Sequence, residues 1–183
     1  MNLRRFLDII FPQKCIACEK NADGKIVCEA CLAAVPANKT FFCGKCGLRL
    51  ASSKKICHKD FPYILGAATN YSNGTVRKSI HHLKFKYIKD AAVPLGFLLS
   101  LYARALPLPF KNYIVVPIPL SKDRLRKRGF NQSELIAKVF SLNLNLPLAT
   151  DMLVRVKNSK PQSETKGIGE RKKNVEGCFG IAD

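Results

Sequence analysis

At 183 residues and 47% hydrophobic side chains, the chain is long enough for one domain with its own core, or a small module beside a medium one, and its composition argues against disorder. Lys and Arg number 31 against 13 Asp and Glu, a net charge of +18 that favours polyanionic partners: nucleic acid, an anionic membrane surface or phosphorylated ligands. Asp8 interrupts the apolar start and no small-residue cleavage site follows, which argues against a secretory signal. FLDIIF at 6 to 11 reads as packing on its own domain rather than on a membrane.

Seven of the eight cysteines lie between Cys15 and Cys57, and composition shifts near residue 60. Without an export signal, cysteines in this pattern suggest metal ligands in a reducing cytoplasm rather than disulfides. The pairs are CIAC at 15 to 18, CEAC at 28 to 31 and CGKC at 43 to 46, followed by CHKD at 57 to 60. A Cys-x-x-Cys knuckle presents two thiolates to one ion, and two knuckles complete a tetrahedral zinc shell. Sequential assignment puts Cys15, Cys18, Cys28 and Cys31 on one zinc and Cys43, Cys46 and Cys57 on a second; a crossed pairing satisfies the spacing equally. The second set is one thiolate short, leaving Asp60 or His58 to supply the last donor, or a site that binds nothing. A full shell has no open coordination position, so the metal is expected to be structural. Residues 1–60 are therefore read as a small zinc-ribbon module and 61–183 as a separate α/β segment.

In that segment YILGAATNY reads as a strand ended by the turn signal SNG. TVRKSIHHLKF places Val76, Ile80 and Leu83 on one helical face, and Asp90 is positioned to cap a helix running to about Leu106. This second helix falls in AAVPLGFLLSLYARALPLPF, which Pro94, Arg104 and Pro107 interrupt too often for a bilayer span. NYIVVPIPL at 112 to 120 reads as a buried strand. RLRKRGFNQSE at 124 to 134 reads as a basic loop leading into a helix capped by Asn131 or Ser133, with Leu135, Ile136, Val139 and Phe140 inward. LVRVKNSKPQSETKGIGERKKN has little apolar periodicity and reads as a long mobile loop. Alternating strands and helices of these lengths imply a parallel sheet covered on both faces. Arg124, Arg126, Lys127 and Arg128 then follow a strand's carboxyl end, where open α/β sheets bind ligands. Gly129 would let backbone approach a phosphate, and Asn131 and Gln132 offer neutral donors.

FPQKC, the three CxxC pairs, a basic helix ending LKF, VVPIPL, RGFNQSELIA, and a late Gln162, Arg171 and Asn174 before GCF together resemble the ComF family of competence proteins, from Phe11 to Phe179. That resemblance implies zinc ribbons joined to a type I phosphoribosyltransferase-like α/β domain, a parallel sheet with helices on both faces. It implies binding of 5-phosphoribosyl diphosphate with magnesium, as in the glycosyltransferase class, and a cytoplasmic role in DNA uptake with single-stranded DNA and other competence proteins as partners. By resemblance, Arg124, Arg128, Gly129, Asn131, Gln132 and Arg155 fall on the diphosphate side, and Gln162, Arg171 and Asn174 in the catalytic loop.

Type I phosphoribosyltransferases also carry an acidic pair before a Thr-Thr-Gly turn that cradles the ribose phosphate. The chain reaches GIAD at 180 to 183 without it, so the C-terminal part of the fold is expected to be missing, the fragment itself inactive, and some apolar surface uncovered. A different reading is a non-enzymatic, zinc-containing module for single-stranded DNA. Lys54, Lys55, Arg77, Lys78, Lys84 and Lys86, with Phe85 and Tyr87, would form its track. Adjacent His81 and His82 cannot share a helical face and are not expected to bind metal. Cys178 reads as a small core residue and Asp123 as a local charge balance.

Overall fold

The computed structural model describes residues 13–50, 57–58, 63–108 and 110–182. Contacts divide the chain into two compact units, Met1–Phe110 and Lys111–Asp183, so the composition break near residue 60 falls inside the first unit.

Two knuckle hairpins organise the start of the first unit. Cys15 N–H donates to Lys20 O at 2.8 Å and Glu19 N–H to Cys15 O at 2.8 Å. The same bonds recur 28 residues later: Cys43 N–H to Leu48 O at 2.9 Å and Gly47 N–H to Cys43 O at 2.8 Å. Ala22 to Gln13 and Leu50 to Phe41 close the two hairpins in the same register. Each turn needs one left-handed residue, which is Glu19 at φ 63° in the first and Gly47 at φ 72° in the second. Sequence reading found the paired cysteines but not this backbone repeat.

Cys28 lies at the N-cap of α1 (Glu29–Ala33), and Cys31 sits one turn along. Cys15, Ala22 and Val27 form a small buried cluster against Ile16, Ile26 and Leu32. Strand β1 (Phe42–Cys43) pairs antiparallel with β2 (Ile64–Leu65), which uses only the start of the YILGAATNY segment.

Helix α2 (Gly74–Phe85) starts at Asn73, whose side chain accepts from Val76 N–H. It buries Val76, Ser79 and Leu83, with Ile80 half-buried, as the helical period predicts. Asp90 does not cap the next helix: it lies within a 3-10 turn, Lys89–Ala91, and α3 (Ala92–Arg104) begins at Ala91 without a side-chain cap. The buried Tyr102 ring of α3 meets Phe41 edge-on at 6.5 Å, and its hydroxyl donates to Thr40 O at 2.7 Å. Lys78 donates to Ala17 O at 3.0 Å, tying α2 to the first knuckle. Among the described residues no helix is long and apolar enough to cross a membrane.

In the second unit the expected buried strand at 112 to 120 is an extended segment, largely unpaired. Val115 makes one parallel bridge to Leu148, with bonds of 2.9 and 3.0 Å to Pro147 and Ala149. Pro117 and Pro119 have no N–H to continue a ladder. Tyr113, Ile114 and Ile118 are exposed rather than buried.

The basic stretch is a helix, not a loop: α4 (Lys122–Arg128), capped by Ser121 and closed by Gly129 in the left-handed region at φ 74°. Helix α5 (Gln132–Leu144) follows, with Asn131 as its N-cap and Ala137 and Ser141 buried. Leu135, Ile136, Val139 and Phe140 are half-buried.

The stretch read as a long loop also holds regular structure. Strand β3 (Leu153–Arg155) pairs antiparallel with β4 (Phe179–Ile181), and a 3-10 turn, Gln162–Glu164, leads to α6 (Gly167–Val175). The pairings among the described residues are thus two antiparallel two-stranded sheets, two isolated antiparallel bridges (Lys14 to Asn21 and Phe42 to Arg49) and one parallel bridge. The fold class is a zinc-ribbon-like module with a mixed helix and strand segment.

Candidate metal centres and anion site

Four sulfur donors gather at Cys15, Cys18, Cys28 and Cys31, and a second group gathers Cys43, Cys46, Cys57 and His58. In each group the donor atoms lie within 4.8 Å of one another. The pairing is sequential, not crossed. Cys18 and Cys28 sulfurs stand 3.8 Å apart and Cys46 and Cys57 sulfurs 3.6 Å apart. A tetrahedral zinc with sulfur at about 2.3 Å sets its sulfurs about 3.8 Å from each other, so both groups fit it.

His58 Nδ1 stands 3.3 Å from Cys43 Sγ and 3.1 Å from Cys57 Sγ, where the missing fourth donor belongs. Asp60, the other candidate, lies outside the described residues, as do Lys54 and Lys55. Three thiolates and one imidazole form an ordinary closed zinc set, with no coordination position left for chemistry.

The thiols of each group differ sharply in acidity. Burial pushes Cys15 up, but N–H donation from Cys28, Cys18 and Ala17 outweighs it and holds the thiol at about 6. Cys43 is also lowered to about 6, chiefly by hydrogen bonding from Cys57 and the Cys46 N–H. Their partners go the other way. Cys31 is raised to about 12 by hydrogen bonds with Cys18 and Cys28, and Cys57 to about 12 by its bond with Cys43. Each cluster therefore ionises first at one sulfur and keeps a proton on another until a cation displaces it.

In the second unit, three guanidiniums meet neutral acceptors. Arg124 and Arg128, one helical turn apart, are the half-buried cations of α4, while Lys122, Arg126 and Lys127 are exposed. Arg124 donates to Ser159 O at 3.1 Å, and Arg155 bonds the Ser159 hydroxyl and, at 3.2 Å, Lys157 O. Arg128 bonds the Gln132 side-chain oxygen. Arg155 also stacks over Phe179, 5.1 Å from its centroid. Arg126 instead pairs with Asp123 at 2.7 Å.

The remaining sequence candidates hold backbone. Asn131 accepts from Ser133 N–H and donates to Ile118 O at 3.1 Å, pinning the extended segment to the start of α5. Gly129 forms the corner between α4 and α5. Gln162 donates to Arg171 O at 3.5 Å and Asn174 to Lys160 O at 2.9 Å, so these three lie together. Asp123, read as a charge balance, also accepts from Asn158 at 3.1 Å and so ties the 158–160 segment to α4. Only tertiary contact reveals that role; its sequence neighbourhood carries no signal of it. Cys178 is buried, and its thiol donates to Asn174 O at 3.4 Å.

Residues 6–59 match the family model described as "Double zinc ribbon domain". The chain is 30% identical to the DNA utilization protein YhgH of Escherichia coli over 164 residues, 84% of this chain and 70% of that protein. The chain belongs to the ComF family. It is 34% identical to competence protein ComFC of Bacillus subtilis over 86 residues, 45% of this chain and 33% of that protein. Competence protein F of Haemophilus influenzae is 30% identical over 70 residues, 37% of this chain and 29% of that protein. The chain thus spans well under two thirds of these two ComF relatives. No solved structure matches it. The two clusters of four donors supply what a double zinc ribbon requires.

Proposed function

We propose that this ComF-family chain is a phosphoribosyltransferase-like protein whose second unit takes the diphosphate end of 5-phosphoribosyl diphosphate, in the service of DNA uptake in the cytoplasm. One observation carries the reading: Arg124, Arg128 and Arg155 are held by neutral oxygens of Ser159, Lys157 and Gln132. A diphosphate replaces those contacts with charge-assisted, bidentate ones, which are about twice as strong. The parallel bridge Val115 to Leu148, just ahead of α4, supports parallel pairing of the segment that leads into the basic helix. Among the described residues no carboxylate cluster gathers for magnesium, so the ion would arrive on the diphosphate rather than on a protein site. The names of the relatives, competence protein and DNA utilization protein, support the biological setting.

Both zinc sites serve the fold of the first unit, with Cys15, Cys18, Cys28 and Cys31 on one ion and Cys43, Cys46, Cys57 and His58 on the other. In the second unit, Gln162, Arg171 and Asn174 shape the segment that must yield when the anion enters, because they hold it against α6. A thermal-shift titration of the zinc-loaded chain with magnesium and 5-phosphoribosyl diphosphate tests the reading. A saturable rise in melting temperature is expected, and no rise at millimolar ligand would overturn it.

A further inference from the structure

Helix α3 carries apolar side chains on two faces, and the core uses only one of them. Leu95, Leu98 and Tyr102 are buried against the first unit. Val93, Phe97 and Leu101 point the other way and are 54, 40 and 41% exposed. They stand four residues apart, so they form one outward stripe along the helix. A single exposed apolar side chain calls for no explanation, but a continuous row of them marks a contact surface.

The two ends of the stripe say what it is built to meet. Asp90, in the 3-10 turn just ahead of α3, and Arg104, the last residue of the helix, are both exposed. The row Asp90, Val93, Phe97, Leu101, Arg104 has spacings of 3, 4, 4 and 3, the same in either direction. Asp90 is the one acidic residue between Asp60 and Asp123 in the sequence. Among the described residues its carboxylate joins no ion pair. The helix dipole suits each charge at its own end, but it does not account for the apolar row between them.

We propose that this stripe is the contact face of a homodimer, in which α3 of one copy packs antiparallel on α3 of a second copy. Two-fold symmetry about Phe97 puts the two Phe97 rings together at the axis and sets each Val93 against Leu101 of the other copy. The same operation brings each Asp90 to Arg104 of the other copy. An isologous interface must be complementary to itself, and a row with an acid at one end, a cation at the other and apolar side chains between them is so. A membrane surface would favour cations at both ends. The dimer is expected to be weak, because one helix face is a small interface and +18 on each chain opposes association. The face lies in the first unit and does not depend on the diphosphate reading.

Sedimentation velocity of the zinc-loaded chain over a concentration series tests the face. A reversible shift from monomer to dimer is expected below about 1 mM. F97D sets two carboxylates together on the symmetry axis and should stay monomeric throughout, while still holding the parent's zinc content as the check that it folds. D90R and R104D should each weaken the dimer about tenfold, since symmetry sets like charges together in both end pairs at once. The double variant D90R/R104D restores opposite charges and should recover the parent's affinity to within about threefold. A parent that stays monomeric, a dimer that F97D leaves unchanged, or a double variant no better than either single one would overturn the proposal. So would phosphatidylglycerol vesicles that bind the parent and not F97D, because the stripe would then face lipid.

Discussion

His58 follows Cys57 directly in the chain, and it is Nδ1, the inner ring nitrogen, that faces Cys43 and Cys57. The motif CHKD had left the fourth donor open between His58 and Asp60, because a Cys-x-x-x spacing favours position 60 whereas coordination needs only reach. H58A is therefore expected to lower the zinc retained against a chelator from two ions per chain to one, counted by atomic emission. Retention of two would place the fourth donor elsewhere.

Acidity at the same residues fixes a pH dependence. Cys31 and Cys57, raised to about 12, still carry protons near neutrality, and zinc must displace them. Proton release on binding means that affinity rises with pH, by at least about tenfold per unit when one proton leaves per ion. Cys15 and Cys43, lowered to about 6, are already ionised at pH 7 and protonate only as pH falls through that value. Zinc retention should therefore climb from pH 6 to pH 8 in competition with a chromophoric chelator. A flat profile would contradict the protonation states assigned to these thiols.

Among the elements, α4 shows how a run of cations can hide the backbone that carries it. RLRKRG reads as a loop in sequence because its cations leave no apolar period to detect. Yet the helix signals flank it: Ser121 accepts from Arg124 N–H, Asp123 sits in the first turn, cations fill the last turn, and Gly129 N–H closes on Leu125 O at 2.7 Å. The helix is what puts Arg124 and Arg128 on one face. Gly129 tests the corner cleanly, since an added Cβ would meet no atom within 4 Å and only the backbone would object. G129A should cost about 1–2 kcal/mol in denaturant unfolding. An unchanged midpoint would mean the φ of 74° is not required.

Helix α6 escaped sequence reading for a related reason. It buries no residue, so GIGERKKNV has no apolar face to give a period, and its start is held by the Glu170 carboxylate accepting from Lys166 N–H at 2.6 Å. By contrast, α2 and α3 were legible because each buries a face: Val76 and Leu83 in one, Leu95, Leu98 and Tyr102 in the other.

Across the whole chain, the metal sites were the most legible part of function, because ligand spacing along the sequence directly limits which sulfurs can meet. The pairing and the 28-residue hairpin repeat needed the backbone, since hydrogen bonds between main-chain atoms leave little trace in side-chain identity. The sheet was the least legible. Alternating apolar segments suggested parallel strands, but Pro117 and Pro119 interrupt the pairing of 112–120, and the described ladders are short and antiparallel. Ile114, Ile118, Val156 and Ile181 stand exposed in the second unit. Net charge pointed to polyanions without choosing one. Part of that charge lies on α2 in the first unit, at Arg77, Lys78 and Lys84, and part on three guanidiniums that meet neutral partners in the second.

That second group is the centre of the account, and calorimetric titration of magnesium 5-phosphoribosyl diphosphate into the zinc-loaded chain tests it most directly. A single saturable site is expected, weakened about ten- to hundredfold in R124A and in R155A, the loss for a hydrogen bond to a charged group. Absence of binding heat, or binding that both variants leave intact, would contradict it.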